Sequence, residues 1–253
     1  NTAFMLYFIT SAALFKVSIF SDKPVKALTA IGFIGAYLSP ILTFKVSGAW
    51  SSSLAFNLVY AYMLLVFSLY VSLRNRWVEI SLLSQTMAGI LAGNALIFAH
   101  YMGAPLLLKE FGVLLVVATL LTWLIKYTKN NTILAIDKVA AYYTTTISII
   151  LSLVATGLVI GHPVERILGG IATILIFGAS VWATKTSKWL NDVLKASSAI
   201  AFVGLVALNN SFMPSELGFV LIFLEGLLLL KIAEPTSFLR TKLIWPLCTV
   251  PLI

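Results

Sequence analysis

The stretch NLVYAYMLLVFSLYVSLRNRW, residues 57–77, carries no charge until Arg74, then turns basic at Arg74 and Arg76 and ends on Trp77. About 20 mostly apolar residues let a helix cross a hydrocarbon core of about 30 Å. The apolar run is continuous, whereas a strand of a membrane barrel would alternate in polarity over about 10 residues. The stretch therefore predicts a transmembrane helix, with basic residues and an amphipathic ring marking its exit from the bilayer.

The same pattern fills the chain. Apolar spans are predicted at residues 2–20, 27–47, 52–73, 77–102, 111–126, 132–160, 165–184, 193–211, 216–233 and 238–253, separated by polar or Pro/Gly-marked links. Composition agrees: 60% of the 253 residues are hydrophobic and 10% charged, and the mean hydropathy is +1.02. Ordinary globular chains are about 45–50% apolar and about 25% charged. The predicted fold class is an all-α integral membrane protein of about ten helices joined by short loops, forming one polytopic domain over residues 1–253. No length remains for a sizeable soluble domain. The chain starts at Asn1 inside one apolar segment and stops inside another, so a piece of a longer multi-pass chain is expected.

A formal charge of +8 raises the question of nucleic acid. Phosphate-gripping cations cluster on exposed soluble faces, whereas these sit at helix ends, so no nucleic-acid partner is expected. Lys23, Lys26, Arg74, Arg76, Lys126, Lys129, Lys185, Lys188, Lys195, Lys231, Arg240 and Lys242 border the odd-numbered links; only Lys45, Lys109 and Arg166 border the even ones. Lys16 and Lys138 fit neither set clearly. This alternation follows the positive-inside rule for a correct span count, and it assigns odd links to the cytoplasm. Arg74, Arg76, Lys185, Lys188, Lys231, Arg240 and Lys242 are the expected cytoplasmic anchors. The expected partners are the lipid bilayer and other membrane subunits or further helices of the same chain.

Glu225, in FVLIFLEGLLLLKI (residues 219–232), is the sharpest functional candidate, because it stands near the middle of an apolar span. Lys231 lies about 240° around the helix, so the two do not share a face. An unpaired carboxylate at mid-bilayer costs at least about 2.5–3.5 kcal/mol. Glu225 is thus expected to be protonated, to face water or to meet another helix, where Asn57, Gln85, Asn94, His100 and Lys16 are available. Two readings stand: a site for an ion, a proton or a polar substrate group, and an interhelical hydrogen bond. Asn94, Asn57 and Gln85 join Glu225 as the candidate intramembrane polar site.

Gly32, Gly35 and Pro40 form a second feature. Proline has no backbone N–H and leaves the carbonyl of Ala36 without its helical partner, while the glycines permit close helix approach. Packing with a kink is the favoured reading, and a broken helix lining a cavity the other. Cys248 is the one cysteine, which excludes an intrachain disulfide. His100 and His162 are isolated near span ends and do not supply the three or four ligands zinc requires; no metal and no cofactor are expected. No nucleophile elbow, phosphate loop or zinc-protease motif is present. The triplet at Asn130 to Thr132 fits a glycosylation acceptor, but charge puts its link in the cytoplasm. Loose similarity between residues 58–77 and 221–240 is compatible with stacked helical hairpins.

The run ALTAIGFIGAYLSPILTFKVSGAW followed by NLVYAYMLLVFSLYVSLRNRWVEISLLSQ resembles a large bacterial family of multi-pass membrane proteins labelled a domain of unknown function. The likeness covers residues 27–95 and rests on Gly32, Gly35, Pro40, Tyr60, Tyr62, Arg74, Arg76 and Trp77. It implies a polytopic architecture in a bacterial inner membrane, and no reaction or substrate. Three functions are therefore expected in descending order. The first is a non-enzymatic scaffold or accessory subunit of an envelope assembly. A transporter or lipid-handling protein with a polar site near Glu225 comes second, and an enzyme on a lipid-linked substrate using Glu110, Glu165 or His162 third.

Overall fold

A computed structural model describes residues 25–47, 50–101, 112–129, 134–157, 163–184 and 187–209, with the single positions Ile9, Ala12, Lys16 and Val220. At residues 39–47, 50–57, 92, 94–101, 163, 165, 166 and 209 it describes the backbone alone. The described residues form seven α-helices: α1 (Lys26–Ser47), α2 (Trp50–Asn75), α3 (Val78–Tyr101), α4 (Gly112–Lys129), α5 (Ala135–Gly157), α6 (Pro163–Ala183) and α7 (Lys188–Asn209). They coincide with seven of the ten predicted spans. The spans predicted at 2–20, 216–233 and 238–253 lie outside the described residues, so seven helices stand where ten were expected.

Four of these segments are long and apolar enough to cross a membrane: Leu58–Asn75, Gly112–Lys129, Ala135–Gly157 and Lys188–Leu208. Shorter apolar segments run through Lys26–Leu38, Val78–Leu91 and Ile167–Ala183. The distribution of polarity fits a membrane protein. Ile31, Val59, Met63, Tyr70, Leu175 and Trp182 are more than half exposed, while Ser68, Ser72, Ser81, Ser84, Thr144 and Ser148 are fully buried. An apolar exterior over a hydroxyl-bearing interior suits lipid as the outer solvent, because lipid gives helices no hydrophobic reason to associate and small or polar contacts must do so instead.

The chain divides into two units, Asn1–Leu108 and Lys109–Ile253. In the first, α2 and α3 share the broadest interface and α1 packs on both. Lys26 at the start of α1 forms an ion pair with Glu79 at the start of α3. Both helices therefore begin at the same end, which is also where α2 finishes at Arg74 and Arg76. In the second unit α4 packs on α5, α6 on α7, α4 on α6 and α5 on α7. Links of four or five residues reach about 20 Å at most, less than the length of these helices at about 1.5 Å per residue, so successive helices run antiparallel. Two hairpins consequently lie side by side, first helix on first and second on second.

Small residues make that second packing close. The buried face of α5 carries Ala140, Ala141, Thr144, Ser148, Ser152, Ala155 and Thr156. Ser152 and Thr156 donate back to the carbonyls of Ser148 (2.8 Å) and Ser152 (3.0 Å), which satisfies the hydroxyls within the helix and leaves a smooth surface. On α7, a Cβ at Gly204 would come 2.7 Å from Cδ2 of Leu153. Trp123 stacks on Tyr127 within α4 at 5.2 Å, and Tyr142 of α5 meets Trp189 of α7 edge-on at 6.0 Å.

Two helix boundaries fall where polar chemistry, not hydropathy, decides. α7 starts at Lys188, ahead of the predicted 193, because the Ser187 carbonyl accepts from Asn191 N–H at 2.9 Å and the helix runs through Lys188, Asp192 and Lys195. Asn191 is buried and donates through Nδ2 to the Val181 carbonyl (2.7 Å) and Thr184 Oγ1 (3.3 Å), tying the end of α6 to the start of α7. α5 opens with Asp137 accepting from the Leu134 N–H at 2.8 Å, a half capping box that meets one orphan donor.

The turn between α2 and α3 explains one of the basic anchors. Trp77 N–H donates to the Ser72 carbonyl at 3.2 Å, and Arg76 has φ 56°. This is the six-to-one bond of a Schellman cap with its left-handed residue, a position that favours glycine. A side chain there costs about 1 kcal/mol or more from contact of Cβ with the backbone. Arg76→Gly is therefore expected to raise the unfolding free energy in detergent by about 1 kcal/mol. Arg76→Ala, which retains Cβ, should leave it unchanged. Equal shifts for both variants would place the effect in the charge and not in the backbone.

Candidate functional site

The site grows from Pro40. α1 continues as helix through Pro40 to Ser47, yet the ring nitrogen has no hydrogen to give the Ala36 carbonyl. The hydroxyl of Tyr60, on α2, donates to that carbonyl at 3.2 Å. A side chain of the neighbouring helix thus takes the place of the missing backbone donor. Gly35 is partly buried and Gly32 buried, about one and two turns before Pro40, in keeping with close packing of α1.

Next to Ala36 is Tyr37, only 1% exposed and the bulkiest fully buried side chain among the described residues. Ser84 of α3 and Ser68 of α2 lie near its hydroxyl. It makes no hydrogen bond of normal geometry, and neither does the hydroxyl of Ser84 or Ser72. Ser68 donates to the Leu65 carbonyl at 2.7 Å and Ser81 to the Val78 carbonyl at 2.7 Å, which leaves their oxygens able to accept. Gln85 is buried beside Ser84 in the sequence of α3. Counting inward from the shared end, Ser72 and Ser81 lie about 5 Å deep and Ser68 and Ser84 about 10 Å deep at 1.5 Å per residue. Three helices thus carry buried hydroxyls at matching depths, and at the α1–α2 contact the rings of Phe33 and Phe67 meet with centroids 5.9 Å apart.

The groups are neutral. They can donate to and accept from an uncharged polar partner, and they hold no nucleophile with a base beside it. The nearest charges with a described contact are Lys26 and Glu79, paired at the end of the unit and each about half exposed. Among the described residues no three His, Cys, Asp or Glu side chains come together.

Of the candidates named from sequence, Gln85 lies in this buried region. Asn57 and Asn94 belong to α2 and α3, but their side chains, like all of Glu225, lie outside the described residues. Arg74, Arg76 and Lys188 are exposed at helix ends; Lys185, Lys231, Arg240 and Lys242 lie outside the described residues. The pattern that sequence reasoning passed over is the spacing of Ser68 with Ser72 and of Ser81 with Ser84 and Gln85. Each puts polar groups on one helix face, and together they mark the facing surfaces of α2 and α3. Comparison with known protein families, curated proteins and solved structures finds no match to the chain.

The bond from Tyr60 should be worth most where Pro40 is present. Tyr60→Phe is expected to destabilise the protein by about 1–2 kcal/mol, since it leaves a buried carbonyl without a donor. In a Pro40→Ala background, where residue 40 regains its N–H, the same change should cost a few tenths of a kcal/mol. Thermal unfolding of the four proteins in detergent closes this cycle. Equal costs in both backgrounds would show that Tyr60 acts by packing alone.

Proposed function

We propose that the chain is part of a non-enzymatic, multi-pass scaffold or accessory subunit of an envelope assembly in the bacterial inner membrane. The observation that carries this reading is where the buried polar side chains go. Tyr60 serves a backbone carbonyl on the adjoining helix, Asn191 joins α6 to α7, and Asp137 caps its own helix. Each of these polar groups is committed to holding helices in place. The resemblance to the bacterial multi-pass family belongs to the same proposal. It draws in part on Gly32, Gly35, Pro40 and Tyr60, all of which lie at the α1–α2 contact just described or within two turns of it.

In this reading ten spans cross the bilayer and the odd-numbered links are cytoplasmic. The alternation of basic residues supports it, as does the gathering of Lys26, Arg74 and Arg76 at one end of the first unit. After Cys248→Ser, single cysteines introduced as Asn75→Cys or Asn130→Cys should react with an impermeant maleimide only once the inner membrane is opened. Gly103→Cys should react in intact spheroplasts. The reverse pattern would invert the topology.

The transporter reading keeps one specific support, the mid-span carboxylate of Glu225. Native mass spectrometry of the protein in lipid nanodiscs, together with pH-gradient dissipation in proteoliposomes, separates the two. A stoichiometric larger complex and no proton or solute flux are expected. A lone subunit with flux that Glu225→Gln abolishes would overturn the scaffold.

A further inference from the structure

The end of the second unit where α4 finishes and α5 begins is also where α6 finishes and α7 begins, because successive helices run antiparallel. Lys126 and Lys129 close α4, Lys138 lies in the first turn of α5, and Lys188 and Lys195 open and close the first two turns of α7. Among the described residues the acids there are Asp137, buried and accepting from the Leu134 N–H, and Asp192. In sequence, the residues that enter α4 and α6 at the other end set an acid beside each cation, Glu110 after Lys109 and Glu165 before Arg166. Excess positive charge therefore gathers at one end, and we propose that Lys138, Lys188 and Lys195 hold the phosphate of one anionic phospholipid there. The basic residues then do more than orient the chain: they bind a lipid in a particular groove, between α5 and α7.

Lys188 and Lys195 are seven residues apart and stand nearly in line along one face of α7. Tyr142 of α5 meets Trp189 on one side of that face, and Asn191 ties the other side to the Val181 carbonyl of α6. Lys138 lies one turn before Tyr142 on the same face of α5, so the Tyr142–Trp189 contact brings the lysines of both helices to one place. Lys195 is the telling residue. It sits about 10 Å along the axis from Lys188, its side chain is 13% exposed, and its ammonium is 3.8 Å from Asp192. Charge-assisted N–H···O bonds run at about 2.7–2.9 Å, so this pair attracts without hydrogen bonding, and a largely covered cation in a membrane helix is costly without acceptors. A phosphate supplies them, and basic pockets between membrane helices hold anionic headgroups in this way. The apolar continuation fits a lipid better than an acidic peptide. Two turns beyond Tyr142 on its face, and three beyond Trp189, come Ile150 and Ile200, both about half exposed, where an acyl chain attached to that phosphate would run.

Native mass spectrometry of the intact protein in dodecyl maltoside, with dioleoylphosphatidylglycerol or dioleoylphosphatidylcholine added, tests the site. One phosphatidylglycerol should be retained at concentrations where phosphatidylcholine is not. Lys188→Gln, at an exposed position, should weaken that retention about fivefold, and Lys188→Gln with Lys195→Gln about 30-fold, the contribution expected of one and two lysines beside a headgroup. Lys188→Arg with Lys195→Arg should keep it. Lys126→Gln with Lys129→Gln removes the same charge from the same end on another helix and should leave retention nearly unchanged. Equal retention of the two lipids overturns the proposal, and so does an equal loss in the α4 double variant, which would make the attraction diffuse. Displacement of the lipid by polyglutamate would overturn it in favour of an acidic protein partner. None of these outcomes depends on whether the chain is a scaffold or a transporter.

Discussion

A proline in the middle of a helix creates a debt of one hydrogen bond, and the first unit is arranged around meeting it. Water at a soluble surface would satisfy the Ala36 carbonyl without help. Buried inside the bundle, the carbonyl must find a donor within the protein, and the donor is Tyr60. That requirement fixes the rotation of α2 about its own axis: the face bearing Tyr60 must meet α1. Residues spaced along the same helix then have their places decided. Phe67 comes against Phe33, and Ser68 comes against Tyr37. Since α2 and α3 are joined by a tight cap at Arg76, the rotation of α2 also limits where Ser81, Ser84 and Gln85 can lie.

The second unit meets the same constraint differently. Its described helices have no proline beyond the first position of α6, so backbone bonds stay within each helix and association depends on closeness of approach. Thr145, Ser152 and Thr156 of α5 donate back to their own helix, and Gly204 lets α7 come up against Leu153. In the first unit a directed polar bond from Tyr60 ties α2 to α1, and in the second the bond from Asn191 ties α7 to the end of α6. Surface apolarity is common to both.

How much of this was legible in sequence follows from which physical property each feature rests on. Helix positions in the described residues were legible because continuous apolar length is a strong, local signal. The missing bond at Ala36 was legible too, since it is a covalent consequence of Pro40. Its partner was not, although Tyr60 stood among the residues of the family resemblance, because the pairing depends on three-dimensional rotation across 24 residues of separation. The start of α7 was placed late for a related reason: hydropathy marks where a helix enters lipid, whereas Ser187 and Asn191 mark where its hydrogen bonding begins. The hydroxyl cluster escaped because a serine in an apolar run normally bonds to its own helix, as Ser68 and Ser81 do. Only the relative placement of three helices separates those from Ser72 and Ser84.

This difference between kinds of serine bears on function. A polar group that closes on its own backbone can be exchanged for alanine at small cost and carries no information about neighbours. A polar group whose bond comes from another helix ties its own position to that neighbour's, and the Tyr60 bond to α1 with the Lys26–Glu79 pair between α1 and α3 makes the unit's geometry interdependent. Such coupling is what a scaffold needs, because it fixes the orientation of surfaces presented to other subunits. It is also what would let an event at one helix be felt by the other two. The choice between a fixed scaffold and a moving one therefore turns on whether the bond between Tyr60 and Ala36 is ever released, since α1 cannot change its angle at Pro40 while that bond holds.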